Sequence, residues 1–397
     1  MKHFLTITIL LLFSCDLFDE NESNTKTLQK NIAIVTNQGS GYLTVIDLTT
    51  QTILDEINLS EKLQAFADKG GVIPDLLYIQ QPRPHYVQTS FDGKYVYIIH
   101  TNKQGAIIKL DAEFNVLAFE TIKNTTYPAH MQLTKDNKEI YISTWTTNSS
   151  SNLDEQNFVI KLDAQNLKEL DRIKTPAGSH GIKLTPSENR VIVGHDLIDF
   201  VSIIQGSSNK KMAIRAGASE NSYDSGDILS PTQLAISPDE KFAFFSCKVA
   251  SKIMVFDLIQ EDTIGFFDLK KEFNLEESLS PYSLEVGPKE NYSSADNKFL
   301  VLNFKGAKRI ARLLINPNGL TAQTILSADT TMIFSDGDQP HGLDITDDGK
   351  IAVVSAQGSA SVQAKTYIID LENWKITKEF DTKIHSRGLC IYPSTGN

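Results

Sequence analysis

The chain has 397 residues, 41% of them apolar, enough to bury a large core, and a formal net charge of −11. That balance, with no basic cluster, argues against a nucleic-acid partner, because phosphate contacts need patches of Lys and Arg. Of its three cysteines, Cys15 lies in the leader, while Cys247 and Cys390 are far apart and expected to be separate thiols.

The leader begins with Lys2 and His3 and continues as an apolar run, Leu5 to Phe13, too short to span a bilayer. The sequence Leu12-Phe13-Ser14-Cys15 resembles the lipobox of bacterial lipoproteins. That resemblance implies a signal peptide over 1–14, cleavage before Cys15 and acylation of its sulfur. The polar, acidic stretch DLFDENESNTKTLQK behind Cys15 has no periodicity, so residues 15–30 are expected to be a disordered tether. An acidic run after the lipidated Cys also resembles the surface-export signal of some Gram-negative lipoproteins. The expected location is the outer membrane, anchored by lipid, on its periplasmic or exposed side.

From Asn31 the chain alternates apolar and polar residues in short runs, the period of half-buried strands. IAIVTN, YLTVIDL and TILDEINL come first, then SEKLQAFADKG, whose content and closing Gly predict a short surface helix. Six similar units follow, starting at Arg83, Tyr127, Gly178, Ser230, Ser280 and Gln339. Asp92-Gly93, Asp136-Asn137 and Asp348-Gly349 mark hairpin turns, not calcium loops. A seventh start, HSRGLCIYP from His385, has no room for the rest of its unit; the missing strands are those at Asn31. The last strand therefore completes the first blade and leaves no sheet edge. Spacings of roughly 44 to 60 residues suit four-stranded blades. The fold expected over 31–397 is all-β, a seven-bladed β-propeller.

Ile34-Val35-Thr36-Asn37, Gly41 and Val45-Ile46-Asp47 look like the YVTN repeat of bacterial seven-bladed propellers (YncE-like proteins). The pattern is echoed at Ile108–Asp111, Ile160–Asp163, Val255–Leu258 and Ile368–Leu371. The resemblance implies the fold and is silent on function, since such propellers serve many roles.

In a propeller the start of each inner strand and the end of the next strand share one face. His85, His180 and His341 occupy the same position at inner-strand heads, with His130 displaced by one, so these four are candidate metal ligands. Copper or zinc is the cofactor type such a cluster suits, with Asp227 or Asp338 close by; the channel-facing histidines of nitrous oxide reductase are similar in arrangement only. His100, His195 and Cys247 are placed at ends of second strands, and His385 just before the last inner strand. The competing reading makes these histidines backbone hydrogen-bonders inherited through repeat duplication. Tyr86, Trp145, Tyr282 and Arg387 are candidate ligand contacts on the same face, with Tyr127 and Tyr223 near them. No serine-hydrolase elbow or phosphate loop is present. Arg83, His85, Arg387 and Glu220 supply the residue types of a propeller lactonase.

The favoured function is an envelope-anchored module binding a small molecule, metal or protein through this face. The alternative is an enzyme at the channel mouth, either a metal-dependent oxidoreductase or a lactonase-like hydrolase.

Overall fold

The computed structural model describes residues 26–101, 104–123, 127–145, 157–196, 198–214, 228–334, 339–359 and 362–393. They form seven four-stranded antiparallel sheets, arranged as the blades of a propeller. The inner strands are Ser386–Tyr392 of blade 1, Pro84–Thr89 of blade 2, Tyr127–Leu133 of blade 3 and Ser179–Leu184 of blade 4. Pro231–Ile236, Pro281–Gly287 and Pro340–Ile345 serve blades 5, 6 and 7. As expected, the C-terminal strand closes the ring, pairing Leu389 with Val35 and Tyr392 with Ile32.

Two local devices write the repeat. At the first turn of several blades a hydroxyl and an Asp two residues on bind each other: Ser90 Oγ donates to Asp92 at 2.7 Å, and Ser237 to Asp239 at 2.6 Å. Thr346 donates to Asp348 at 2.7 Å in the same way, and its Oγ1 accepts the Ile351 N–H, closing the hairpin. At the end of the third strand an Asp caps the following turn. Asp47 accepts from the Thr49 and Thr50 N–H groups, and Asp163 and Asp257 repeat the arrangement. This Asx-turn chemistry explains the recurring terminal Asp of the YVTN-like motif. Its job is local structure.

Second strands read as nearly continuous apolar runs because both of their faces are buried. In Tyr95–His100, Val96 and Ile98 pack toward blade 1, whereas Tyr97 and Ile99 pack toward blade 3. The predicted helix forms over Leu59–Asp68, with the Asn58 side chain accepting from Ser60 N and donating to Glu61. Its Leu59 and Leu63 enter the core between blades 1 and 2.

The inner-strand heads open on what we call the upper face. The first described residues lie on the lower face, where Leu28 N donates to Gly93 O at 2.8 Å and Lys26 pairs with Glu113. The chain thus reaches the propeller on the side opposite the heads. Among the described residues no helix is long and apolar enough to cross a membrane. Cys247 and Cys390 are buried free thiols, as expected.

Candidate functional site: the channel mouth

Strand register fixes which residues meet at the mouth. Pro84, Ser179, Pro231, Pro281, Pro340 and Ser386 each pair with the end of the next strand, and a bulge follows before regular pairing resumes. The residue after each forms the head ring: His85, His180, Thr232, Tyr282, His341 and Arg387. His130 stands one step further in. The expected grouping of the four histidines is therefore present.

Their rings, with Tyr282, make a closed belt around the channel. Centroid separations run 6.4 Å from His85 to His130, 5.1 Å to His180, 5.8 Å to Tyr282, 4.5 Å to His341 and 6.1 Å back to His85. Tyr86 lies 4.4 Å from His130, inside the channel. Trp145 stands 6.2 Å from His180, with half-exposed Tyr127 at its edge. Tyr86 and Tyr282 are thus wall residues of the throat and not part of an open aromatic surface.

The belt is held from behind by a side chain on the second strand of the preceding blade. Thr36 Oγ1 accepts from Gly388 N and donates to His85 O; Ser143 Oγ accepts from His130 N and donates to His180 O. Asn303 links Ser283 N to His341 O, and Ser355 links Gly342 N to Arg387 O. Close approach of neighbouring inner strands also requires glycine: a Cβ on Gly342 would sit 2.3 Å from Arg387 O. Removing one pin strands a buried N–H and a buried carbonyl. Ser355→Ala is expected to lower the unfolding free energy by about 1–3 kcal/mol in urea titration.

Polar bonding inside the belt is uneven. Gln233 binds both His130 Nε2 (2.6 Å) and His180 Nδ1 (3.2 Å), and Tyr282 OH lies 3.3 Å from His180 Nε2. By contrast, among the described residues, His85 Nδ1, His341 Nε2, Trp145 Nε1 and Arg387 Nε are buried without a partner. Among the described residues no group of three or more His, Cys, Asp or Glu is placed to hold a metal ion. Asp227, Asp338, Glu220 and Tyr223 lie outside the described residues, as does Cys15. The space beneath the heads is narrow, a cavity of about 30 Å³, room for roughly two waters.

Burial sets the charge of the site. It pushes His85, His130 and His341 far below the ordinary imidazole value, assisted by neighbouring charges that include Arg387 at His85 and Lys305 and Arg387 at His341. Burial likewise brings His180 down to about 4, against the opposing pull of Asp196. The belt is neutral at pH 7.

Sequence reasoning missed a second ring, formed by residues just past the ends of the second strands. Asp196, Lys248 and Lys305 each donate a backbone N–H to the residue preceding an inner strand: Gly178, Ser230 and Ser280. Asp196 pairs with Lys248 Nζ at 2.6 Å and accepts from Ser230 and Thr232. The signal that finds these residues is repeat position, counted one place beyond His195, Cys247 and Phe304. His100 and His195, one place before that ring at the ends of their second strands, are core residues. His100 Nε2 accepts from Arg83 N, and His195 bonds Ala177 O and Ser202 Oγ. Arg387 and Lys305 form no ion pair among the described residues. Among the described residues, the mouth of this acidic protein is locally cationic.

The model of one protein family, "Lactonase, 7-bladed beta-propeller", matches residues 62–392. No curated protein matches the sequence. Among solved structures, a periplasmic gluconolactonase, PpgL, of Pseudomonas aeruginosa is 13% identical with a TM-score of 0.62, covering 90% of this chain and 98% of that one. A putative 6-phosphogluconolactonase of Bacteroides fragilis is 14% identical with a TM-score of 0.61, covering 94% and 99%. A functionally unknown protein from Desulfotomaculum acetoxidans is 13% identical with a TM-score of 0.63, covering 91% and 99%. At these identities the structural likenesses speak for the fold. The propeller that the YVTN-like motif implied is present, while the family model that matches is the lactonase one.

Proposed function

The chain belongs to the family of seven-bladed β-propeller lactonases, and on that premise we propose that its upper mouth binds a small anionic lactone and opens it with water. The observation that carries this reading is the set of unpartnered polar atoms on Arg387, His85 and His341, all facing one throat. A half-buried guanidinium with no carboxylate partner among the described residues is suited to a carboxylate or phosphate on the ligand, or to the oxyanion that forms at the carbonyl. A neutral imidazole, from His85 or His341, takes a proton from water as its oxygen attacks the carbonyl carbon. The ring C–O bond then breaks and the imidazolium returns the proton to the departing alkoxide. Relatives described as a gluconolactonase and a putative 6-phosphogluconolactonase support sugar lactones as the first compounds to try.

The test is a pH-stat assay of glucono-1,5-lactone and its 6-phosphate, corrected for spontaneous opening. Arg387→Ala is expected to lower kcat/KM by about 100-fold or more, the scale for losing a charged contact to the transition state. No enzyme-dependent opening of either lactone sinks the hydrolase reading.

The second reading is a binding module without turnover. It is favoured by the narrow cavity and by His130 and His180 being engaged by Gln233 and Tyr282. Saturable binding of gluconate without lactone opening supports it. A copper or zinc ion is the metal form of this reading. Among the described residues His85 Nδ1 and His341 Nε2 are buried without partners, whereas His130 Nε2 is held by Gln233, so a metal bound through that nitrogen has to displace Gln233. Elemental analysis of protein purified without chelators, beside a His85→Ala/His341→Ala variant, decides that point.

For location we propose acylation at Cys15 and anchoring to the outer membrane. Because the chain meets the propeller on its lower face, the mouth then points away from the lipid surface and toward diffusing ligand.

A further inference from the structure

We propose that Gln233 is a positioning residue that holds His180 as its Nε2–H tautomer and so frees the Tyr282 hydroxyl proton for the lactone carbonyl oxygen. This rests on the reading of the mouth as a lactone site and adds the donor that the opening step needs. Gln233 comes from the inner strand of blade 5, whose head is Thr232, and is only 6% exposed. The Ser246 hydroxyl holds its backbone, accepting from Gln233 N at 3.2 Å and donating to Gln233 O at 3.4 Å. From there the side chain reaches the imidazoles of blades 3 and 4. Its amide nitrogen has two protons to give. It meets two acceptors, His130 Nε2 at 2.6 Å and His180 Nδ1 at 3.2 Å.

An imidazole nitrogen that accepts carries no proton, so a neutral ring must carry it on the other nitrogen. For His180 that is Nε2, which lies 3.3 Å from Tyr282 OH. The phenol oxygen therefore accepts there, and its own proton has to point elsewhere. Among the described residues no hydrogen bond takes that proton. The Tyr282 ring stands in the belt, packed on His341 at 4.5 Å, so its hydroxyl belongs to the channel wall. As water adds to the lactone carbonyl, negative charge gathers on the carbonyl oxygen. A donor already aimed at that oxygen stabilises it without reorganising. Tyr282 keeps its proton throughout, since burial raises its pKa well above that of an ordinary phenol. The other tautomer of His180 would draw that proton onto Nε2 and turn only lone pairs toward the carbonyl.

The experiment reads tautomer and rate separately in the full-length protein. With histidine labelled in its ring nitrogens, NMR at neutral pH is expected to show His180 bare at Nδ1 and protonated at Nε2. Loss of its signals in His180→Asn assigns them. Gln233→Met keeps the bulk and loses the donor. It is expected to shift the His180 proton toward Nδ1 and to lower kcat on glucono-1,5-lactone about tenfold, with KM nearly unchanged. Tyr282→Phe is expected to lower kcat by about 100-fold, the scale for one donor to the oxyanion. Adding Gln233→Met to Tyr282→Phe is expected to change kcat no further, whereas a merely structural role would add its loss. Melting curves confirm that the variants fold. His180 protonated at Nδ1 in the parent overturns the proposal, as does opening that Tyr282→Phe leaves at the parental rate; either result leaves hydrolysis standing. No opening by the parent removes hydrolysis, and the role of Tyr282 with it, whatever the tautomer.

Discussion

Acidification from about pH 6.5 to pH 4 is expected to destabilise this protein more steeply than its carboxylates alone account for. Six imidazoles are enclosed and held neutral by burial: His85, His100, His130, His180, His195 and His341. An unfolded imidazole takes its proton near 6.5. In the fold His100 does so only at about 3, and His180 and His195 at about 4. Between those values the unfolded chain binds more protons, so stability rises with pH. It is complete above about 6.5 and is lost as pH falls toward the folded values, by up to about 1.4 kcal/mol per unit for each group. His100, His180 and His195 alone give an upper bound of roughly 10 kcal/mol over that window, comparable to the whole stability of a typical domain. The depressed carboxylates act in a lower window. Asp47, Asp136 and Asp196 have folded values below the usual one, so their contribution is lost only below about pH 4. Urea titrations at fixed temperature from pH 8 to pH 4 separate the two. A level unfolding free energy between pH 6.5 and 5 would falsify the picture of buried neutral imidazoles.

The same histidines show how far sequence reaches. The blades were legible because the first turns of four of them, at Ser90, Thr134, Ser237 and Thr346, repeat a hydroxyl-x-Asp pattern and third strands tend to close on Asp, devices whose chemistry is local. His85, His180 and His341 were legible as equivalents because each blade carries its bulge at the same place. The direction of their ring nitrogens was not legible. Gln233, from a blade with no histidine at its head, decides that His130 and His180 are hydrogen-bonded. Lys305, Lys248 and Asp196 were also missed, because a ring read across blades has no common residue type. Their place in the repeat, one residue past the second strand, and the shared bond from their N–H groups to the residue before an inner strand identify them.

Replacing Lys289 is expected to cost more than any single change at the mouth. In the lower half of the channel Lys183 donates to Glu285 at 2.8 Å, and Lys289 lies 3.8 Å from Glu285 and 3.2 Å from Asp344. These side chains come from blades 4, 6 and 7, and that of Lys289 is 3% exposed. Burial works against its charge, yet the two carboxylates raise its pKa above the ordinary lysine value. Lys289→Met keeps most of the stem but leaves Asp344 charged and short of its cation. Breaking a buried pair on one side typically costs about 3–5 kcal/mol, because the stranded charge, more than the lost attraction, sets the penalty. Asp344 also accepts the Ile391 N–H at 2.8 Å, so truncating it adds a second fault. Asp344→Asn keeps an acceptor for that N–H while removing the charge. The Lys289→Met/Asp344→Asn double variant is therefore expected to recover more than half of the loss, read as urea midpoints in a double-mutant cycle. If the double variant is no more stable than Lys289→Met alone, the penalty lies in lost packing, and the network is not what ties blades 4, 6 and 7 together below the site.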